Sequence, residues 1–342
     1  GSAQLFSDPV QKPKQIIHSE NEIKEAAEIL RSVKNPLLLL GSQFMQHPEI
    51  IPTIIQSVEA LGMPVFLSGM ARGLLGKNHP LQIRHQRKDA LRKADFILLA
   101  GVPCDFRLDY GRHLSSKAKY IAVNNSKSDL FKNKKPDLAI LGDAAQFLIE
   151  FSRSAADLNK NCFSAFVSEL KKSDYQKEKS ILVQAEEKIT GINPIYLLKE
   201  LENCIDDNSI LIADGGDFVG TASYILQPRK PLSWLDPGVF GTLGGAAGFA
   251  LASKLLNPSS EVWLIYGDGS LGYSIAEFDS FVRHNIPVIA LVGNDACWSQ
   301  IARDQIEILK DDVGTRLAHT DYHLVAKGLG AEGILLNDES KI

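Results

Sequence analysis

The feature that most constrains this chain is a series of short, continuous apolar runs, each closed by glycine or a polar residue. Pro36–Leu40 is followed directly by Gly41, and Phe96–Ala100 by Gly101. Runs that are apolar at every position indicate strands buried on both faces, which is typical of parallel sheets. Segments with helical periodicity separate these runs, as parallel strands require, so the pattern predicts an α/β fold.

The alternation of strands and helices occurs twice. In the first half the predicted strands are Pro36–Gly41, Pro64–Leu67, Phe96–Gly101, Lys119–Val123 and Leu138–Leu141, and the helices are Glu20–Val33, Glu49–Leu61 and Arg87–Lys93. In the second half the strands are Ser209–Asp214, Glu261–Tyr266 and Pro287–Val292, and the helices are Pro194–Glu202, Gly241–Leu256, Ser274–His284 and one that starts at Trp298. We therefore predict two doubly wound parallel-sheet domains, at residues 20–151 and 191–342, with a polar arm at 1–19 and a helical linker at 152–190.

Charge and hydropathy exclude several functional classes. The sequence has 37 Lys and Arg residues against 41 Asp and Glu residues, a net charge of -4, which is not the balance of a nucleic-acid-binding protein. No apolar run approaches the ~18 residues of a membrane span, so we expect the chain to be soluble. The four cysteines are far apart and form no CxxC pair, which argues against a disulfide framework or a zinc ribbon.

The two ends of the sequence suggest a piece of a longer protein. It begins with Gly1-Ser2 instead of Met, which resembles the scar left by tag cleavage, and it ends in polar residues after a short apolar stretch. We expect any targeting signal or membrane anchor to lie in an amino-terminal part outside the sequence.

Three predicted strands of the second half end in glycines and acidic residues. The strand ends are Asp214-Gly215-Gly216-Asp217, Gly267-Asp268-Gly269-Ser270 and Gly293-Asn294-Asp295. Ligands of open parallel sheets bind outside the carboxyl ends of the strands, where glycines let an anion approach and helix N-termini supply free N–H groups. Carboxylates beside a phosphate site need a countercharge, and a divalent metal ion supplies it. The pattern predicts a combined metal and phosphate site.

This arrangement resembles the thiamine-diphosphate enzymes of the acetolactate synthase and 2-hydroxyacyl-CoA lyase family. Their cofactor motif is GDG followed further along by NN, and the corresponding residues here are Gly267-Asp268-Gly269 and Asn294-Asp295. Other matching segments are Asp214–Val219 and Gly241–Gly244, and, as in animal members, Trp234–Gly238, Val292–Trp298 and Thr320–His323. The resemblance implies that residues 20–151 form the family's central domain and residues 191–342 its pyrophosphate-binding domain, without a last strand and helix.

The resemblance also implies roles for individual residues. Alignment on Pro287 makes Asp268 and Asp295 the expected side-chain ligands of Mg²⁺, with the Cys297 carbonyl as a third ligand and Asn294 as the alternative to Asp295. Leu243 would lie under the bend of the cofactor, and the alternative from the sequence alone is a leucine of the core. The other expected cofactor contacts are Asp214, Gly215, Gly216, Asp217, Gly241, Thr242, Gly267, Gly269 and Ser270, the last through its N–H and hydroxyl. No catalytic residue is expected here, because the activating glutamate belongs to the family's pyrimidine-binding domain, which this sequence lacks.

The implied activity is cleavage of a 2-hydroxyacyl-CoA into an aldehyde and formyl-CoA, by a homo-oligomer of the endoplasmic reticulum membrane that acts in fatty acid α-oxidation. Acetolactate-type carboligation and a non-catalytic nucleotide-binding module are the alternatives. The first strand ends in Gly41-Ser42-Gln43-Phe44, which is not a phosphate loop. Arg84, His85, Arg87 and Arg107 are either ligands for the phosphates of coenzyme A or a solvated basic face. His319 and His323 are expected to be packing or surface residues.

Overall fold

The computed structural model describes residues 18–159 and 161–342. Nearly all of the predicted arm, residues 1–17, lies outside these ranges. The first sheet has five parallel strands, β1 (Pro36–Leu40), β2 (Val65–Leu67), β3 (Phe96–Ala100), β4 (Lys119–Asn124) and β5 (Leu138–Leu141). Its helices are α1 (Glu20–Arg31), α2 (Ile51–Leu61), α3 (Arg87–Lys93), α4 (Lys127–Leu130) and α5 (Ala144–Ser154). The strand order is β2-β1-β3-β4-β5, so the winding direction reverses between β1 and β3.

Both faces of the first sheet are covered. Leu38 and Leu40 of β1 belong to a buried cluster with residues of α1, α2 and α5. Leu37 and Leu39 belong to a second cluster, which includes residues of α3. Because successive side chains of a strand point to opposite faces, a run that is apolar at every position serves both clusters. The predicted doubly wound fold is confirmed for this half.

A long helix, α6 (Ser164–Ala185), connects the two halves of the chain. Phe166 and Leu170 near its start pack into the second cluster of the first sheet, whereas Ile181 near its end packs under the second sheet. Although α6 has 22 residues, it is rich in charged side chains. Within the described residues, no helix combines the length and apolar character that crossing a bilayer requires.

The second sheet has four parallel strands, β6 (Ile210–Ala213), β7 (Trp234–Leu235), β8 (Val262–Gly267) and β9 (Ile289–Gly293). Its helices are α7 (Pro194–Cys204), α8 (Asp217–Ile225), α9 (Ala246–Leu256), α10 (Asp268–Leu271), α11 (Glu277–Arg283), α12 (Ser299–Leu309) and α13 (Tyr322–Gly328). The order β7-β6-β8-β9 reverses between β6 and β8, and buried clusters cover both faces. The second half is therefore also doubly wound, as predicted.

The sequence pattern did not predict β7 or α8. β7 has only two residues, too few for a periodic signal, and it forms because Trp234 is buried beside Leu211. α8 carries Gly220 and β-branched residues, which weaken helix propensity, and only three of its residues are buried. Packing against the sheet, not local propensity, stabilises both elements.

Candidate functional site

The carboxyl ends of β6 and β8 meet where the winding of the second sheet reverses. The N–H of Gly267 donates to the carbonyl of Gly215 at 3.1 Å. The hydroxyl of Ser270 is 3.0 Å from the carbonyls of both Gly215 and Gly267 and ties the two strand ends together. A β-carbon on Gly267 would lie 3.2 Å from the carbonyl oxygen of Gly215, so the two backbones approach closely here. Sheets of this kind bind ligands in the crevice at such a reversal of winding.

A cavity of about 1750 Å³ opens over this crevice. Its lining brings together all three predicted strand ends, at 214–217, 267–270 and 293–295, with Gly241, Leu243 and Cys297. Thr242 is exposed and lies outside the lining. His319 and His323, expected to be packing or surface residues, are part of the cavity wall.

Asp268 is the most unusual group in the cavity. It begins α10 and its residue surface is only 2% exposed. Its Oδ1 accepts the N–H of Gly269 at 2.9 Å, whereas its Oδ2 is buried and finds no hydrogen-bond partner among the described residues. Burial raises the pKa of Asp268, and the charge of Asp295 raises it further. A buried carboxylate oxygen without a donor is unfavourable, and a bound cation would relieve this cost.

The neighbouring residues Asn294 and Asp295 have different environments. The side-chain amide of Asn294 donates to the carbonyl of Thr320 at 3.0 Å. The carboxylate of Asp295 is exposed and accepts hydrogen bonds from the Cys297 N–H, at 3.2 Å, and from the Ser299 hydroxyl. The charge of Asp295 acts on Asp268, so these two carboxylates lie near each other, and the choice between Asp295 and Asn294 as metal ligand stays a prediction.

Two large apolar side chains occupy the space that a β-carbon would fill. A β-carbon on Gly215 would lie 2.2 Å from Cδ2 of Leu243, and one on Gly269 would lie 2.6 Å from the ring of Trp298. Leu243 was singled out from the sequence, but Trp298 was not given a role. Its position three residues after Asp295 in a matching motif was the signal that could have revealed it.

Several polar side chains expected to contact the cofactor already have partners within the protein. The Asp214 carboxylate accepts the N–H groups of Gly244, at 2.9 Å, and Ala246, at 3.1 Å, and so anchors the start of α9. Burial raises the pKa of Asp214 in spite of these bonds. Asp217 pairs with Arg303 at 2.5 Å. These contacts shape the loops around the cavity and leave Asp268 as its unsatisfied carboxylate.

The arginines of the first half are neither an open docking surface nor a solvated face. Arg84 donates to the carbonyls of Tyr224 and Ile225, at 2.8 and 3.1 Å. Arg87 donates to the carbonyl of Arg107 at 2.8 Å, and Arg107 itself forms a bidentate pair with Asp105. Burial lowers the pKa of both Arg84 and Arg87. Both sequence-based readings of these residues are therefore corrected.

Comparison with known families covers the first sheet and three of the four strands of the second sheet. Residues 23–151 match the family model described as the thiamine pyrophosphate enzyme, central domain, and residues 214–342 match the C-terminal TPP binding domain of the same enzymes. The chain belongs to the thiamine pyrophosphate enzyme family. The cavity therefore lies in the part of the chain that corresponds to the family's cofactor-binding domain, which confirms the resemblance and the thiamine diphosphate cofactor expected from it.

Individual members of the thiamine pyrophosphate enzyme family are similar along nearly the whole chain. A 2-hydroxyacyl-CoA lyase 2 from Danio rerio is 51% identical over 338 residues, which cover 96% of this chain and 54% of that protein. The Homo sapiens protein of the same name is 49% identical over 328 residues, 94% of this chain and 52% of that protein. The acetolactate synthase large subunit IlvG from Mycobacterium tuberculosis is 30% identical over 318 residues, 92% of this chain and 57% of that protein. The chain spans about half the length of the curated relatives it matches.

Proposed function

We propose that the full-length protein is a thiamine-diphosphate- and Mg²⁺-dependent lyase that cleaves a 2-hydroxyacyl-CoA into an aldehyde and formyl-CoA. The observation that carries the proposal is the buried, unpartnered Oδ2 of Asp268 at the crevice between β6 and β8. The substrate class rests on the names of the relatives, since those near 50% identity are 2-hydroxyacyl-CoA lyases and the acetolactate synthase is more distant.

The donor set around Asp268 suits Mg²⁺, which prefers oxygen ligands and usually keeps several non-protein ligands. Asp268 and Asp295 would supply side-chain oxygens, and Cys297 would supply its backbone carbonyl. In the described ranges, no group of three or more His, Cys, Asp and Glu side chains could hold a metal. The remaining ligands would then come from the diphosphate and water. Asn294 is the alternative ligand through its side-chain oxygen, since its bond to Thr320 uses only the amide N–H.

The diphosphate would bind at the start of α10. The first N–H groups of a helix have no acceptor within it and carry a partial positive charge. The N–H of Gly269 already donates to Oδ1 of Asp268, which fixes the metal ligand against the turn. The N–H of Ser270 is the group we assign to the diphosphate, whereas its hydroxyl is committed to two carbonyls. Gly215, Gly216, Gly241 and Gly267 would allow close backbone approach.

When bound, thiamine diphosphate supplies a nucleophilic carbon and accepts the electron pair of the broken bond. The residues of this chain position it and exclude water. Leu243, which packs on Gly215, would support the bend of the cofactor, and the ring of Trp298, which packs on Gly269, would cover the turn that holds the diphosphate. In the overall reaction the bond between C1 and C2 of the acyl group breaks. C2 leaves as the aldehyde carbon, and C1 remains on coenzyme A as a formyl group that has gained a proton.

The remaining sequence-based expectations are part of the same proposal. They are an activating glutamate on a separate pyrimidine-binding domain, a homo-oligomeric enzyme, an endoplasmic reticulum location through an amino-terminal anchor, and a role in fatty acid α-oxidation. The division of the chain at residues 20–151, 152–190 and 191–342 is also proposed. The ranges of the two family models, 23–151 and 214–342, support this division.

The proposal is tested by product analysis with the full-length protein. We expect aldehyde and formyl-CoA from a 2-hydroxyacyl-CoA, loss of both products on chelation of Mg²⁺, and recovery when the metal is restored. Pyruvate is tested in parallel as the substrate of the alternative, acetolactate-type reaction. Rapid formation of acetolactate without cleavage of the acyl-CoA would favour the carboligase, and no reaction with either substrate would favour the non-catalytic module.

A further inference from the structure

The C-terminal end of α8 is completed by two arginines that lie far away in the sequence. The last carbonyls of a helix have no donor within the helix. The N–H of Leu226 donates to the carbonyl of Ala222 at 2.9 Å. The carbonyls of the next three residues are then left without a donor from the helix. Arg72 donates to the carbonyl of Ser223, and Arg84 donates to those of Tyr224 and Ile225. Both arginines belong to the region matched by the central-domain model.

The segment that follows α8 cannot provide these donors itself. The N–H of Gln227 donates to the carboxylate of Glu202 at 2.9 Å, so it does not continue the helix. The next residue is Pro228, which has no N–H. The guanidinium groups therefore replace hydrogen bonds that the local sequence lacks, and their positive charge is favourable at this end of the helix dipole.

The contact between Arg72 and the second half is closely fitted. A β-carbon on Gly73 would lie 2.3 Å from the carbonyl oxygen of Lys230, so this backbone approach tolerates no side chain. The guanidinium of Arg72 lies 5.1 Å from the centre of the Trp234 ring, within the range of a cation–π interaction. Arg72 is partly buried, and desolvation lowers its pKa to about 10. The contact is thus a fixed part of the boundary between the two halves.

The opposite end of α8 forms one wall of the cofactor cavity. The helix is preceded by Gly216, whose φ of 107° is in the region that favours glycine, and no side chain caps its first N–H groups. Phe218 lies in the first turn of α8. A β-carbon on Gly293 would lie 2.3 Å from Cγ of Phe218. Nine residues span about 13 Å, so one rigid helix connects the arginines to the cavity.

We propose that Arg72 and Arg84 are positioning residues of the cofactor site, which hold α8 along its axis and thereby fix the Gly215–Gly216 turn. The inference rests on the proposed function only for the identity of the cofactor. Val219, Ala222 and Ile225 of α8 are buried, and this packing holds the helix on the sheet. The two arginines bind the carbonyls that the packing leaves without donors, and through them the central domain influences cofactor affinity without contacting the cofactor.

The test compares Arg72→Met and Arg84→Met with Arg87→Met in the full-length protein. Arg87 is a matched control because it is similarly buried and donates to a backbone carbonyl, but that carbonyl belongs to Arg107 and not to α8. We expect the dissociation constant for thiamine diphosphate with saturating Mg²⁺ to rise about tenfold in each test variant. The kcat at saturating cofactor should stay near the wild-type value. Arg84→Lys, which keeps a charged donor, should recover part of the affinity.

Hydrogen exchange of the apoprotein provides a readout that does not depend on cofactor binding. We expect faster exchange at residues 216–220 in Arg72→Met and Arg84→Met, and no change there in Arg87→Met, at temperatures where all variants are folded. If the wild type binds no thiamine diphosphate, the proposed function fails and hydrogen exchange alone decides the positioning role. Unchanged exchange at the start of α8 in both test variants would overturn that role, as would equal loss of affinity in Arg87→Met.

Discussion

The two sheets of this chain have the same winding up to the fourth strand, yet the polar groups at their carboxyl edges differ. At the first edge, the Gln43 amide donates to the side-chain oxygens of Asn124 and Asn125 at 2.9 and 2.8 Å. The Asn124 oxygen also accepts the N–H of Ser126. Its amide nitrogen has no partner among the described residues, but a neutral amide does not require a cation. Side-chain amides therefore bridge the ends of β1 and β4.

At the second edge a charged group is left unsatisfied. Asp268 is as buried as Asn124, at 2% and 1% exposed, but one of its carboxylate oxygens has no donor. Asp295 adds a second negative charge nearby. The comparison teaches that a reversal of winding provides only a crevice, and that the side chains at the strand ends decide whether it binds a ligand.

The largest expected effect comes from removing the unsatisfied carboxylate. Asp268→Ala should weaken binding of thiamine diphosphate with Mg²⁺ by about 100-fold or more, because it deletes a metal ligand and not a neighbour of one. The matched variant at the first edge, Asn124→Ala, should lower the melting temperature and leave cofactor affinity unchanged. Calorimetric titration of both proteins checks the pair. Equal affinity in the two variants would remove the distinction between the edges.

A smaller effect is expected from the neighbouring pair Asn294 and Asp295. Asp295→Ala should weaken Mg²⁺-dependent binding about tenfold or more, since it removes an anionic oxygen ligand. Asn294→Ala deletes only the bond to Thr320 and should change affinity by about twofold at most. Metal titrations of both variants at a fixed concentration of thiamine diphosphate decide between them, and the reverse order would make Asn294 the ligand.

Glycine substitutions at the two edges should separate stability from binding. A β-carbon on Gly41 would lie 2.2 Å from the Gly101 carbonyl oxygen, so Gly41→Ala should destabilise the first sheet by about 1–3 kcal/mol. A β-carbon on Gly269 meets the Trp298 ring, and Gly269→Ala should displace that ring and lower cofactor affinity severalfold. Chemical unfolding and cofactor titration of both variants test this. The prediction would be contradicted if Gly41→Ala lost cofactor affinity and Gly269→Ala did not.

The last expected effect is a pH dependence of stability, which arises in the helix that joins the sheets. A hydrogen bond with His85 lowers the pKa of Glu178 to about 2, and Lys199 of the second half contributes, while burial opposes the shift. The pKa of Glu178 in the folded protein lies below its ordinary value of 4.5, so ionised Glu178 stabilises the folded state above pH 4.5. This stabilisation is lost as the pH falls from 4.5 towards 2.

Between pH 5 and pH 3, the wild type should lose about 2 kcal/mol more unfolding free energy than Glu178→Gln. The control is Glu169→Gln on the same helix, whose partner Lys93 and own side chain are about half exposed, and which should behave like the wild type. Urea unfolding across this pH range is the measurement. Parallel pH curves for the wild type and Glu178→Gln would refute the assignment.

Local sequence patterns were sufficient to predict every strand except β7, and the motifs at the strand ends. The run Phe96–Ala100 becomes β3 without change, because continuous apolar character has few other solutions in a buried sheet. The partners of polar side chains could not be read in this way. Asp214 anchors residues 30 and 32 positions further on, and Arg84 caps a helix 140 positions away. The Asp214 contacts depend on the tertiary packing of the second half and the Arg84 contact on how the two halves dock, and no local spacing encodes either.

The most direct test of the central claim is a structure of the full-length protein with Mg²⁺ and thiamine diphosphate. We expect an oxygen of Asp268 and one of Asp295 about 2.0–2.1 Å from the metal, with the diphosphate at the start of α10. The amide bridge between Gln43 and Asn124 should be unchanged. A metal bound without Asp268, or a diphosphate at the carboxyl edge of the first sheet, would contradict the account.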